Sequence, residues 1–311
     1  ALNSGTIRDA AGNNATLTNN AVSGNASYKV DTTAPTANYP VATDDVGTVR
    51  GALDNGSTTD DTDLVLSGTN ESGSIVKVYN STTELDNATV SGTSWSYTAT
   101  LANVTTYDFN VRETDLAGNT SAATSDFTVT VNTTAPTISS IVISSATGIQ
   151  NNLLNVGDNV SVTATFSESV IVDNASGAPT LTLVVGDDNQ TATYRSGSGG
   201  TTLVFQYTIQ AGETDSNGIS MRADVLALNS GTIKDTTGNN ATLTHSALTD
   251  NASYKVDTTA PTANFTKAND NVGTVRGDFT SDNTTDDTAL VLSGTNEAES
   301  SVMVYDNSTE L

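Results

Sequence analysis

An all-β chain of β-sandwich domains arranged end to end is what the sequence predicts, and three observations carry that reading. Residues 1–85 return at 227–311 with a constant offset of 226, no gap, and 58 of 85 pairs identical. Apolar residues alternate with Thr and Ser at period 2 in stretch after stretch, the pattern of a sheet with one buried face. No segment carries the 3.6-residue apolar stripe of an amphipathic helix.

The repeat divides again. Thr-Thr-Ala-Pro-Thr occurs three times, with its proline at Pro35, Pro136 and Pro261, so the spacings are 101 and 125 residues. Each is the length of one sandwich domain. The chain is therefore read as residues 1–35, the C-terminal part of a type B domain; 36–136, a type A domain; 137–261, a type B domain; and 262–311, the N-terminal part of a second type A domain. The first and last pieces are too short to bury a complete core, which marks the chain as a segment of a longer polypeptide.

Strands follow in order. Type A is expected to hold about seven, including 64–69, 75–80, 95–101, 106–112 and 126–132, the count and spacing of an immunoglobulin-like sandwich. In type B the alternation is clearest at 160–166, 181–185 and 203–209. Turn signals separate the runs: Asp54-Asn55-Gly56, Ser72-Gly73, Ser91-Gly92, Gly186-Asp187-Asp188-Asn189 and Ser198-Gly199-Gly200. Trp95, the only tryptophan, alternates with Tyr97 and is expected in the core, an exposed ligand platform being the alternative.

Composition excludes several functions. There is no cysteine, hence no disulfide framework and no thiolate metal site. No apolar run is long enough to span a bilayer. With 11 Lys+Arg against 35 Asp+Glu the net charge is −24, which excludes nucleic-acid backbone binding as a main role. Catalysis lacks parts: His245 is the single histidine, and no glycine-rich phosphate loop with a lysine occurs. No catalytic centre and no membrane insertion are expected.

The acid is spread through Gly/Asn/Thr-rich loops. It either keeps the chain soluble or supplies the six to eight hard oxygens that Ca²⁺ requires. Asp-x-x-Gly-Asn loops stand at Asp9–Asn13, Asp115–Asn119 and Asp235–Asn239, each 17 or 22 residues ahead of a junction residue, Asp31, Asn132 or Asp257. One loop and one strand span that distance, so Asp9 is expected near Asp31 and Asp235 near Asp257. Acidic loops of the following type A domain could complete these shells, Asp44 or Asp60 with Asp61 for the first and Asp270 or Asp286 with Asp287 for the second. Plain Asx/Gly turns are the alternative. The neutral amide of Asn132 makes the A-to-B junction the weaker site. Glu213-x-Asp215-x-Asn217-Gly218, with Asp224 at the twelfth position, resembles part of an EF-hand loop without flanking helices, with Glu for Asp at the start and Asp for Glu at the end, and a solvated acidic turn is the alternative. Pro fixes its own φ and biases the residue before it to extended structure, so Thr-Ala-Pro is a short, stiff connector.

These motifs carry a family resemblance. The Asp-Thr-Thr-Ala-Pro-Thr junctions, Asp44-Asp45-Val46-Gly47-Thr48-Val49, Leu64-Val65-Leu66-Ser67-Gly68-Thr69 and Asp115-Leu116-Ala117-Gly118-Asn119 look like the immunoglobulin-like repeats of giant bacterial surface adhesins of the Bap-like and RTX types. Val162–Val170 and Gln210–Ile219 are similar to a second repeat of the same kind of protein. The resemblance implies a secreted, cell-surface extender whose neighbouring repeats are its partners. Ca²⁺ would stiffen the linkers, and adhesive domains for attachment or biofilm formation would lie elsewhere. Two other classes stay open. One is a subunit of a self-assembling filament, sheath or surface layer whose partners are copies of itself. Sequons such as Asn80, Asn87, Asn103 and Asn159 would suit it, although a chain this rich in Asn and Thr contains them by chance. The other is a carbohydrate-binding module.

Overall fold

The computed structural model describes residues 4–18, 23–38, 40–274, 276–279, 284–298 and 300–310. All of its regular structure is β, and it divides into two compact units, Ala1–Thr133 and Thr134–Leu311. The division falls inside the second Thr-Thr-Ala-Pro junction.

In the first unit, the type A domain is a sandwich of two five-stranded sheets. One runs Gly51–Ala52, Val41–Asp44, Asp63–Thr69, Ser94–Thr100, Thr89–Ser91. The other runs Ser57–Thr59, Phe127–Val131, Thr105–Thr114, Ile75–Asn80, Thr83–Asn87. All pairs are antiparallel except Ser57–Thr59 with Phe127–Val131. The alternation decides which side chains face inward. Leu64 and Leu66, Val76 and Val78, Phe109 and Val111, and Phe127, Val129 and Val131 form one core with Trp95. Trp95 is 2% exposed, as expected of a core residue. Its indole lies against Gly68, where a Cβ would stand 2.7 Å from the ring nitrogen, so only glycine admits it. Burying each of these side chains is worth roughly 1.5–3 kcal/mol, and the sandwich is how the chain collects that sum.

Residues 4–18 and 23–35 of the same unit hold one isolated bridge, Arg8 to Asn14, and no strand among the described residues. Their repeat counterparts Thr232–Lys234 and Lys255–Asp257 are strands in the second unit. There they pair with Asn159–Asp173, Leu153–Leu154 and Thr214–Asp215, which have no counterpart within residues 1–35.

In the second unit, the type B domain packs a large curled sheet over a small one. The large sheet runs Ile138–Thr147, Asn159–Asp173, Gly200–Thr208, Asp188–Ser196, Thr180–Val185, Leu226–Ala227, with Thr232–Lys234 on the far half of Asn159–Asp173. The small sheet is Leu153–Leu154, Lys255–Asp257 and Thr214–Asp215. Between them lie Leu154, Val160, Val162, Leu181, Leu183, Leu203, Phe205, Ile209 and Ile219. Residues 263–310 form a three-stranded sheet, Gly277–Phe279, Ala263–Asp270, Val291–Asn296, and a hairpin Tyr305–Asp306 with Thr309–Glu310.

Candidate metal sites at the domain poles

Most of the polar residues singled out in the sequence lie at the ends of the sandwiches, where the chain enters and where it leaves; Asp9 and Asp224 do not. The type B domain shows its exit pole most fully. Asp257 lies on the last strand, paired with Thr214, beside a cleft of about 780 Å³. Asp187, Asp188, Glu213, Asp215, Asn217 and Asp257 line it, with Lys255 as the only cation. Asp215 is buried and held rigidly: its Oδ2 accepts from the Gly186 N–H at 2.8 Å, and its Oδ1 from the Gly218 N–H at 2.7 Å. The Tyr207 hydroxyl donates to Glu213 Oε1, and the Gln210 N–H donates to Oε2 at 2.8 Å. Burial, then the bond to Glu213, pushes the Tyr207 phenol well above its ordinary value. Asn217 donates to Asp250 Oδ2 at 2.6 Å. Asp224 does not join this group. It turns away at a positive φ of 56°, and its Oδ1 accepts from the His245 N–H at 2.7 Å. The segment is thus an acidic loop against a sheet end and does not wrap as an EF-hand loop would.

The exit pole of type A is built from Asp44, Asp60, Asp61 and Asn132. Asp44 continues the inward parity of Ala42, and Asp61 is buried too. Thr59 donates its hydroxyl to Asp44 Oδ2 at 2.6 Å, and the Asn132 N–H donates to the Thr59 carbonyl at 2.8 Å. The Asp60 carboxylate fills the space over Gly47 that a Cβ would occupy. The second copy repeats this geometry. Thr285 donates to Asp270 Oδ2 at 2.7 Å, the Val272 N–H to Asp270 Oδ1 at 3.0 Å, and the Asn271 N–H to Asp287 Oδ2 at 3.2 Å. Asp286 lies over Gly273 as Asp60 lies over Gly47. Only residues 262–311 are present in that copy, so the motif is locally encoded.

At the entry pole of type A, the Asp115 carboxylate accepts from the backbone and side chain of Asn119, both at 2.8 Å. Asn119 in turn donates to the carbonyl of Asp31 at 3.1 Å. Glu113 lies beside them, 1% exposed, with its Oε1 taking the Glu71 N–H and the Ser74 hydroxyl. Asn70 donates to the Glu71 carbonyl at 2.7 Å, which fixes its amide orientation and leaves Oδ1 buried with no hydrogen-bond partner. Asn70 and Glu113 are joined through the Ser74 hydroxyl, so a buried amide oxygen and a buried carboxylate belong to one cluster of hard oxygens, the donor chemistry that a hard cation takes.

The structure corrects the expected pairings. Asp235 caps its own loop, accepting from Thr237, Gly238 and Asn239, at the entry pole of type B, where the Thr242 N–H meets the Pro136 carbonyl. Asp257 lies at the exit pole. The two poles are separated along Asn159–Asp173 by about twelve residues, roughly 40 Å of extended strand, so Asp235 and Asp257 do not share a site. Asp9 likewise caps its own loop through Asn13 and Ala11, and Asp31 meets the Asp115–Asn119 loop instead. Asp44, Asp60 and Asp61 stand with Asn132 and not with Asp31, seven residues of strand Asp63–Thr69 away from the entry pole. Among the described residues no three of these carboxylates converge as a closed metal site.

Local hydrogen bonds set the acid response. The Asn119 side chain holds the Asp115 carboxyl below its ordinary value of 3.8, Asn13 does the same for Asp9, and the Thr285 hydroxyl does so for Asp270. A depressed carboxyl stabilises the fold above its unfolded value and loses that contribution as the pH falls through the folded one. These loops should therefore be intact at neutral pH and open only below about pH 3.8. Carboxyl-carbon NMR titration should find Asp115 titrating below its ordinary value of 3.8, and Asn119 to Ala should move it upward while the backbone donors of residues 117–119 keep part of the depression.

Glu71, Glu113, Asn70, Asp187 and Asp188 were not among the predicted site residues. Glu113 had a signal, because it shares the inward parity of Phe109 and Val111.

Comparison with known proteins agrees with the fold. Residues 35–133 match the family model of a bacterial Ig-like domain. No curated protein sequence is significantly similar to the chain. Among solved structures, the fibronectin(III)-like modules of CbhA from Clostridium thermocellum align at 13% identity over 66% of this chain and 90% of theirs, with a TM-score of 0.26. SGBP-B of the Bacteroides ovatus mixed-linkage glucan utilization locus, solved with a heptasaccharide, aligns at 14% identity over 88% of this chain and 69% of its own, with a TM-score of 0.21.

Proposed function

We propose that this chain is a non-catalytic extender segment of a large, repetitive cell-surface adhesin, stiffened by Ca²⁺ where one sandwich follows another. The observation that carries the reading is the placement of acid. The buried and loop carboxylates that the sequence singled out lie mainly near the ends from which the stiff Thr-Ala-Pro connectors leave, whereas acids on the sheet faces such as Glu84 and Asp108 pair with Lys77 and Thr128. Asp31 and Asp257 are one position of the repeat. One copy meets the entry loop of type A, and the other the exit cleft of type B. The oxygens available at a complete B-to-A junction are then those of Glu213, Asp215 and Asp257 on one side and Glu113, Asp115 and Asn70 on the other. A bound Ca²⁺ would neutralise part of the local charge and tie the two ends together. Burial of Trp95 speaks for an extender rather than a sugar platform.

Calorimetric titration of the chain with CaCl₂ tests the reading. Binding in the range of extracellular calcium modules, about 10⁻⁴–10⁻³ M or tighter, is expected, and Asp257 to Ala should weaken it at least about tenfold at that junction. No heat at millimolar calcium, with thermal midpoints unmoved, would overturn it.

A further inference from the structure

Between its poles the type A domain carries a cleft of about 540 Å³ that the calcium reading does not use. It opens on the outer face of strands Ile75–Asn80 and Thr105–Thr114, away from the core side chains Val76, Val78, Phe109 and Val111. Alternation puts Asn110 and Arg112 on that face, with Tyr79 directly across from Asn110. Residues 120–126 run beside the far half of Thr105–Thr114. The Thr124 N–H donates to the Val111 carbonyl at 3.1 Å, and the Val111 N–H donates to the Thr124 hydroxyl at 3.1 Å. Asn110, on the floor, is 5% exposed. Its amide donates to the Ser81 carbonyl at 2.9 Å on one wall and to Asp126 Oδ1 at 2.8 Å on the other.

The charges around this floor are engaged unequally. Glu84 is held by Lys77 at 2.6 Å and by the Tyr79 hydroxyl at 3.2 Å. Asp126 is held by the Asn110 amide. The exposed Arg112 guanidinium lies over the Tyr79 ring, 5.6 Å from its centroid, and reaches no carboxylate among the described residues. Stacking on the ring orients the planar fork and leaves its edge to a further partner. Such a fork matches a carboxylate in two parallel hydrogen bonds. The hydroxyls of Ser81 and Thr124 line the same cleft, and Asp126 supplies an acceptor. A simple anion would meet the Asp126 carboxylate with nothing to donate to it. A sugar that carries a carboxylate brings both halves: an acid group for Arg112 and hydroxyls for Asp126 and Thr124.

We propose that this cleft binds a carboxylate-bearing sugar residue, with Arg112 pairing its acid group and Asp126 accepting from its hydroxyls. The extender would then carry a recognition site on the flank of its type A sandwich, apart from any adhesive domain. The inference does not rest on calcium and is tested in its absence.

Trigalacturonate is titrated into the intact, isotope-labelled chain in EDTA, up to about 20 mM so that a millimolar site fills, and followed by amide NMR shifts. Saturable shifts confined to residues 79–82, 110–112 and 120–126 are expected. Arg112→Gln should weaken binding at least about tenfold, the loss of a charge-assisted pair. Arg112→Lys keeps the charge without the fork or the stacking and should fall between the two. Both replace an exposed side chain, so the amide spectrum away from the cleft should be unchanged. No shifts at the highest concentration would overturn the proposal, as would shifts that Arg112→Gln leaves in place. Equal shifts from the neutral sugar maltotriose would overturn the role of the carboxylate, and equal shifts from acetate that of the sugar.

Discussion

Truncating Trp95 to alanine is expected to cost the type A domain about 3–5 kcal/mol, the range for a large aromatic removed from a core. The side chain is 2% exposed, sits on strand Ser94–Thr100 and fills the space above Gly68. Nothing nearby is flexible enough to fill the void: its core neighbours are Val, Leu and Phe on paired strands. For a domain of about 100 residues each kcal/mol moves the midpoint by about 4–8 °C, so its calorimetric transition should fall by tens of degrees or vanish. The type B transition should stay where it is, because the two cores share no residue.

The reciprocal experiment is Phe205 to Ala. Phe205 is fully buried in Gly200–Thr208 and meets Tyr194 edge to face at 6.1 Å. The edge-to-face contact adds about 0.5–1.5 kcal/mol to its burial, and the truncation should again cost about 3–5 kcal/mol. Here the type B transition should fall and the type A transition should hold. If either variant moved both transitions together, the domains would not be independent folding units, and an extender made of separately folded sandwiches would lose its basis.

Much of the fold was legible because a period-2 pattern records which side chains face inward. The runs 64–69, 75–80 and 181–185 appear as Asp63–Thr69, Ile75–Asn80 and Thr180–Val185. The short edge strands Gly51–Ala52 and Leu153–Leu154 were not legible, since two residues carry no period and exist only through their neighbours. The acidic poles were half legible. Residue types and spacing picked out Asp31, Asp44, Asp61, Asp115, Asp215 and Asp257. Spacing measures distance along the chain and does not say to which edge a strand returns. Asp235 therefore was set with Asp257, although Thr232–Lys234 pairs with the opposite end of Asn159–Asp173. Glu113 was overlooked because a charged residue on an inward position reads as a lapse in the pattern, whereas here it is held in place by Ser74 and the Glu71 amide.

Small-angle scattering of the chain in calcium and in EDTA addresses stiffness most directly. Calcium at the junctions should give a longer, better-defined maximum dimension and a less flexible profile than EDTA, while circular dichroism shows the sandwiches folded in both. An identical maximum dimension and an identical flexibility profile in the two buffers would contradict a calcium-stiffened extender.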